Sequence, residues 1–377
     1  MTAPVTGGRA LRVLIAGGGT GGHLYPGIAV ARELMGRVPD AVVTFAGTAR
    51  GLEARVVPRE GFALDVIRSG GLKGKSLAAR ARGVGLLPLS GLDAWRVLSR
   101  RAPSLVIGVG GYSSGPLVLL AALRGIPTLL LEQNAVPGLT NRLLAPVVRA
   151  AAVTYEETLS YFKEKGFVSG NPVRSQFLHL PAYEAAVEPM GVLIFGGSQG
   201  AHAINVAAVE AAARLAGAAT PLAITHQTGE RDLEMVREGY RRAGLRARVE
   251  PFLYEMDREM SAAGLVVCRA GATTLAEITT AGRPAILVPL PTATDDHQRR
   301  NAAALARAGA AEVIDQRDLD GARLASQVLA LAADPAARER MARAAVALAR
   351  PDAARVIAER ALALARYGTP GPRAAEG

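Results

Sequence analysis

Cysteine is almost absent from this chain, with Cys268 alone in 377 residues. A single thiol excludes an intramolecular disulfide framework and a cysteine-ligated metal site, and it points to a reducing compartment. Aromatic residues are scarce too, at 4% with one tryptophan, which weighs against the stacking surfaces used to bind nucleic acid. Hydrophobic residues make up 50% of the sequence, yet no run reaches the ~18 uncharged apolar residues that would span a bilayer. No signal peptide is visible, because the apolar run 13–16 is short and ends in glycines. Acidic residues are what the first part lacks. Residues 1–170 hold 20 Lys and Arg against 10 Asp and Glu, while the remainder holds 24 against 23, so the net charge of +11 sits almost wholly at the N-terminal end.

What is present is a strand-then-glycine-loop unit that occurs twice. Val13-Leu14-Ile15-Ala16-Gly17-Gly18-Gly19-Thr20-Gly21 opens the first half, and Val192-Leu193-Ile194-Phe195-Gly196-Gly197-Ser198-Gln199-Gly200 opens the second. Branched apolar runs of this kind mark buried parallel strands. Glycines then let the backbone turn tightly into a helix whose N-terminal amides favour an anion. Two such units predict an α/β protein of two similar domains facing one cleft, with phosphate as the guest and a nucleotide-sugar as the expected substrate class.

Alternating strand-like and helix-like runs extend this along the chain. Strands are expected near 11–16, 41–46, 63–67, 104–109, 126–131 and 150–154, then near 191–195, 221–226, 247–251, 264–268, 284–288 and 311–314. The predicted domains are 1–172 and 190–350, joined by a Pro- and Gly-containing linker at 173–189. A last helix at about 352–367 is expected to cross back onto the first domain, followed by a tail at 368–377.

Residues 68–101 concentrate the basic excess. They carry Arg68, Lys73, Lys75, Arg80, Arg82, Arg96, Arg100 and Arg101 against Asp93, interleaved with Leu77, Leu86, Leu87 and Trp95. This composition suits either a membrane-surface patch for an anionic leaflet or a helical hairpin with one buried and one solvated face.

Several motifs test poorly on their own. Gly17, Gly19 and Gly22 satisfy the dinucleotide fingerprint, but strand two ends Thr44-Phe45-Ala46-Gly47-Thr48 with no carboxylate for a ribose, which argues against a nicotinamide oxidoreductase. Gly74-Lys75-Ser76 lacks the earlier glycine of a P-loop, where Ser69 stands. Asp318-Leu319-Asp320 precedes a helix and reads as an N-cap rather than a metal site. His23 falls in the first turn of a helix, where it is either a general base or a terminal polar residue. Thr274 and Glu277 have capping-box spacing, and Glu277 could equally grip ribose hydroxyls from a strand's carboxyl edge.

Taken together, Gly18-Gly19-Thr20-Gly21-Gly22-His23, Gly110-Gly111-Tyr112-Ser113-Ser114-Gly115-Pro116 and Gly196-Gly197-Ser198-Gln199-Gly200-Ala201 resemble the three glycine loops of the MurG family. The resemblance extends to Glu132-Gln133-Asn134, Gly138-Leu139-Thr140-Asn141, Gly170-Asn171-Pro172-Val173-Arg174 and Cys268-Arg269 through Glu277, in order, over about residues 12 to 315. It implies a GT-B glycosyltransferase fold with two Rossmann-like domains. It also implies inverting transfer of GlcNAc from UDP-GlcNAc to lipid I, with no obligatory metal or other cofactor. The enzyme would be peripheral, at the cytoplasmic face of the bacterial cell membrane, with no nucleic-acid partner. A GT-B enzyme with another lipid acceptor is the alternative.

By motif position, the resemblance places Ser198, Gln199 and Arg174 near the donor diphosphate, the Leu253 backbone at uracil and Glu277 at the ribose. Ala272, Thr273, Thr274, Leu275 and Ala276 would line the same donor site, and Gln298 with Asn134 would meet the sugar. Thr20, Gly21 and Gly22 would line the cleft, with His23 as the acceptor-side base. Glu132, Tyr112 and Asn141 would be acceptor-side contacts. Two positions depart from the pattern: Leu131 stands where relatives carry histidine, and His297-Gln298 where they often carry two glutamines.

Overall fold

The structure, a computed structural model, describes residues 10–49, 51–69, 87–197 and 199–365. Two compact units emerge, one of residues 1–172 with 352–377 and the other of residues 173–351.

In the first unit, seven parallel strands lie in the order β3-β2-β1-β4-β5-β6-β7. These are β1 (Arg12–Gly17), β2 (Val42–Gly47), β3 (Ala63–Val66), β4 (Leu105–Gly110), β5 (Thr128–Glu132), β6 (Ala150–Val153) and β7 (Gly166–Val168). The apolar run of β1 is continuous because both faces are covered. Val13 and Ile15 join a cluster with helices Gly21–Arg37 and Ala353–Leu364, while Leu14 and Ala16 join one with helices Leu87–Arg101 and Ser114–Leu123. Each such fully buried aliphatic side chain contributes about 1.5–3 kcal/mol relative to exposure. From the last helix, Ile357, Ala358 and Ala361 are buried in the first of these clusters.

The second unit repeats the plan with six strands in the order β10-β9-β8-β11-β12-β13. They are β8 (Met190–Phe195), β9 (Leu222–Gln227), β10 (Ala247–Glu250), β11 (Leu265–Cys268), β12 (Ala285–Leu287) and β13 (Ala311–Val313). Val192 and Ile194 face one buried cluster, and Leu193 and Phe195 the other.

Twelve of the strands match the expected ones to within two residues, and β7 is the exception. The segment expected to be a linker is built into the second unit instead. Phe177 is buried in its core, and the Arg283 and Arg338 guanidiniums donate to the carbonyls of Pro181 and Ala185 at 3.2 and 2.6 Å. Both arginines are almost fully buried, so their charge is satisfied by backbone carbonyls that tie this stretch down.

Among the described residues of the basic stretch, three arginines are paired. Arg68 pairs with Asp93 at 2.7 Å, and Arg100 and Arg101 both pair with Asp65, at 2.6 and 2.7 Å. Lys73, Lys75, Leu77, Arg80, Arg82 and Leu86 lie outside the described residues, as does the side chain of Leu87. Trp95 is half exposed beneath the Arg124 guanidinium, 4.6 Å from its ring centre. On the same helix Leu89 and Leu92 are exposed, and so are Leu119 and Leu123 on the neighbouring Ser114–Leu123.

Candidate functional site

Open parallel sheets bind ligands beyond the carboxyl ends of the strands where the strand order reverses. In the first unit that point lies between β1 and β4, and it carries two of the glycine loops. Thr20 is the exposed N-cap of helix Gly21–Arg37, so Gly21, Gly22 and His23 form its first turn. A Cβ at Gly110 would sit 2.9 Å from the His23 ring, and one at Gly111 2.8 Å from the Gly18 carbonyl oxygen. Both glycines also have positive φ. The two loops therefore press together, and His23 is wedged between them.

The ring is oriented by a residue given no role from sequence. Gln133, almost fully buried, donates through Nε2 to the Val109 carbonyl at 3.1 Å, which turns its Oε1 toward His23 Nδ1 at 3.0 Å. An amide oxygen can only accept, so Nδ1 carries the proton and Nε2 is left as the proton-accepting nitrogen. A ring held in this tautomer has the nitrogen a general base requires.

Glu132, expected to contact the acceptor, is turned inward. Its carboxylate accepts from Asn134 N–H at 3.0 Å, Asn134 Nδ2 at 3.2 Å, Gly138 N–H at 3.1 Å and Asn141 Nδ2 at 2.8 Å. Both oxygens are thus occupied in ordering the loop after β5. Asn141 is buried and also donates to the Leu131 carbonyl at 3.0 Å, so it braces that loop rather than facing solvent. Leu131, the departure from the histidine pattern, is buried in the core cluster of β1. Asn134 is half-buried and Tyr112 exposed.

In the second unit the reversal lies between β8 and β11. Its glycine loop leads into helix His202–Ala216, and the chain after β11 leads into helix Ala272–Ala281. Gln199 is exposed at the first of these, while Ser198 lies outside the described residues. Gly200 has φ of 72°, and a Cβ there would overlap the Thr228 carbonyl, so glycine is required. Behind the loop runs a buried network. Tyr240 Oη meets His226 Nδ1 at 2.7 Å, His226 Nε2 meets Asn205 Oδ1 at 3.0 Å, and Asn205 Nδ2 donates to Asp232, which also holds His202 at 2.9 Å. Burial pushes the His226 pKa down to about 3, so the network is neutral at its centre. It anchors the start of helix His202–Ala216.

The Arg174 and Glu277 side chains, expected at different parts of the donor, meet each other. Arg174 Nε donates to Glu277 Oε1 at 2.7 Å, and its guanidinium stacks on Phe177 at 4.8 Å. The Nε–H of Arg174 is thereby committed to Glu277. Burial raises the Glu277 pKa, and the attraction and hydrogen bond of Arg174 only partly offset it. The capping-box geometry is absent. Gly271 is the N-cap, which puts Thr274 at the third helical position and Glu277 well inside the helix. Ala272, Thr273 and Thr274 instead supply the helix-terminal amides, Leu275 is buried, and Ala276 is half-buried.

Leu253 is buried, and its N–H already donates to Gln227 Oε1 at 3.0 Å, which takes that amide away from a nucleobase. Gln227 Nε2 in turn donates to the Gly197 carbonyl at 2.7 Å. One side chain, missed from sequence, thereby ties the glycine loop to the Leu253 turn. Gln227→Leu leaves the buried Leu253 N–H unpaired, at about 1–3 kcal/mol, and releases the exposed Gly197 carbonyl. It is expected to raise the donor KM about tenfold with a smaller change in kcat, as read from initial rates. Gln298 Oε1 accepts from Leu290 N–H at 3.0 Å and is half-buried at the start of helix His297–Arg307.

Among the described residues, no group of three or more His, Cys, Asp or Glu side chains is placed to hold a metal ion. Asp320 caps helix Gly321–Ala333, accepting from Arg323 N–H at 2.7 Å. Cys268 is fully buried, and that burial pushes its thiol pKa up, which makes it inert. No helix of the described residues is long and apolar enough to cross a membrane.

The predicted site residues thus fall in two groups. Thr20, Gly21, Gly22, His23, Tyr112, Glu132, Asn134 and Asn141 belong to the first unit, and Arg174, Gln199, Leu253, residues 272–277 and Gln298 to the second.

Residues 13–153 match the glycosyltransferase family 28 N-terminal domain, and residues 191–357 match the C-terminal domain of the same family. The chain is 49% identical over 334 residues to a protein of Anaeromyxobacter sp. (strain K), covering 88% of this chain and 87% of that one. That relative is named UDP-N-acetylglucosamine--N-acetylmuramyl-(pentapeptide) pyrophosphoryl-undecaprenol N-acetylglucosamine transferase. A protein of the same name from Myxococcus xanthus (strain DK1622) is 46% identical over 334 residues, again covering 88% and 87% of the two chains. Among solved structures, Acinetobacter baumannii MurG superimposes with a TM-score of 0.77 at 32% identity, covering 94% of this chain and 99% of that one.

Proposed function

Because the chain belongs to glycosyltransferase family 28, we propose that it transfers GlcNAc from UDP-GlcNAc to the C4 hydroxyl of MurNAc in lipid I. The product is lipid II, for peptidoglycan synthesis. One observation carries this within the fold: His23, locked by Gln133 in the tautomer of a general base, at the strand-order reversal of the first unit. The chain's 49% identity to a transferase of that name supplies the substrates.

The C4 hydroxyl attacks C1 of the sugar from the face opposite UDP, so an α-linked donor gives a β-linkage. His23 Nε2 takes the hydroxyl proton as the new C1–O bond forms. The electron pair of the breaking C1–O bond leaves with UDP, and negative charge grows on its diphosphate. Helix-terminal amides after Gly196–Gly200 and at Ala272–Thr274 meet that charge without a metal. Glu277 holds the ribose hydroxyls, with Arg174 fixing its carboxylate. Purified protein incubated with radiolabelled UDP-GlcNAc and lipid I is expected to give labelled lipid product equally with and without EDTA. Absence of lipid product sinks the substrate assignment, and loss with EDTA sinks metal independence.

The acceptor is lipid-linked, which calls for docking at an anionic cytoplasmic leaflet. Exposed Leu89, Leu92 and Trp95 supply an apolar face for it. Trp95→Ala is expected to weaken vesicle binding with little salt dependence. Neutralising Lys73, Lys75, Arg80 and Arg82 is expected to weaken it by about 1 kcal/mol per charge, with strong salt dependence. Turnover of a short-chain soluble acceptor is expected to survive both changes. Co-sedimentation indifferent to salt and to anionic lipid would refute this docking.

A further inference from the structure

The two glycine loops are near copies in sequence, yet they are held by opposite ends of the peptide unit. Gln227 grips the second loop by a carbonyl, Gly197 O, which does not consume an amide. Glu53 grips the first by an amide. Its Oε2 accepts from Gly19 N–H at 2.7 Å, and its Oε1 accepts from Thr48 N–H and from Thr48 Oγ1, each at 2.8 Å. Glu53 is fully buried, and it opens helix Glu53–Arg59. The surrounding chain is moulded to its carboxylate. A Cβ at Gly18 would lie 2.5 Å from the Glu53 carboxyl carbon, and one at Gly47 2.6 Å from its Cγ. Burial opposes ionisation, but the hydrogen bonds from Gly19 and Thr48 outweigh it and hold the carboxyl below its ordinary range.

A glycine loop between a strand and a helix normally offers such an amide to a phosphate. We propose that Glu53 is a resident anion filling the first glycine loop: it takes the amide a phosphate would take and so positions Thr20 and His23. A nucleotide diphosphate then binds at the second loop and not at the first. The chain of contacts is short. Glu53 fixes Gly19, the next residue caps the helix, and His23 sits in its first turn. Glu53 is therefore a positioning residue for the base. It also accounts for the absence of a ribose-binding acid after β2, since the carboxylate arriving there is turned onto the loop.

One test uses the wild-type protein. Hydrogen exchange of the peptide spanning residues 17–24 is expected to be slow without ligand and unchanged by UDP or inorganic pyrophosphate. The peptide spanning residues 196–201 is expected to gain protection with UDP. Added protection at residues 17–24 on binding either anion would overturn the proposal. The kinetic arm rests on the transferase activity proposed above, whereas the exchange arm stands without it, so the two failures are distinguishable. Glu53→Gln, nearly isosteric but neutral, is expected to lower kcat about 10–10²-fold through misplacement of His23. Donor KM is expected to stay within about twofold. Formate added to Glu53→Ala is expected to recover part of the lost kcat by occupying the vacated anion position. A Glu53→Gln enzyme with wild-type kcat, or one whose kcat and donor affinity fall together, would refute the positioning role.

Discussion

His23→Ala is expected to lower kcat by about 10²–10⁴-fold while UDP-GlcNAc binding stays near normal, because general-base assistance acts in the transition state. Gln133→Leu is expected to reproduce part of that loss. Without the Gln133 oxygen the ring can adopt either tautomer, and only one presents a proton-accepting Nε2. The buried Val109 carbonyl also loses its partner, so a modest drop in melting temperature accompanies it. Single-turnover rates with saturating donor separate the two effects. A His23→Ala enzyme that retains most of its turnover would return the residue to a helix-terminal role, and the base would have to be sought elsewhere.

The second large effect concerns Glu277. Glu277→Ala is expected to raise donor KM by about 10–10³-fold, since hydrogen bonds to a charged group contribute about 1.5–3 kcal/mol each. The ribose contacts proposed for it are shared by ground and transition states, so kcat should fall far less. Stability should respond in the opposite sense to a lost helix cap. The native carboxyl titrates above its unfolded value because of burial. A raised native pKa means the favourable contribution of Glu277 is complete below the unfolded pKa of about 4.3 and is lost as pH rises through the native value. The melting temperature of Glu277→Gln, measured against wild type, is therefore expected to gain ground steadily from acid toward neutral pH. A constant difference across that range would show that burial does not perturb the group.

The strands were legible because each carries a run of branched apolar residues that both faces of a covered parallel sheet require. β7 was not, for Gly166-Phe167-Val168 is three residues long and opens on glycine. The glycine loops were legible as loops, but what fixes them was not. Gln133 lies 110 residues from His23, Glu53 lies 34 from Gly19, and Gln227 lies 30 from Gly197. No local spacing announces such pairs, since only the fold brings the side chain to the backbone group. Charge pairing was hidden for the same reason: Asp65, on β3, pairs with arginines at the far end of helix Leu87–Arg101. Thr274 and Glu277 misled in another way. Their spacing is that of a cap, but the N-cap lies three residues earlier, at Gly271, and a buried glutamate within the helix needs the arginine that sequence had sent elsewhere.

The return of helix Ala353–Leu364 to the core beside Gly21–Arg37 sets an order of events during synthesis. Domains tend to fold as they emerge from the ribosome, N-terminal first. Here the first unit cannot close when residue 172 appears, because Ile357, Ala358 and Ala361 have yet to be made. The apolar flank of Gly21–Arg37 must remain open while the whole of residues 173–351 is translated. That intervening stretch is continuous and can finish folding first. The half of the molecule that bears His23 is thus begun first and completed last, and its uncovered flank is where a nascent-chain chaperone would find its hold.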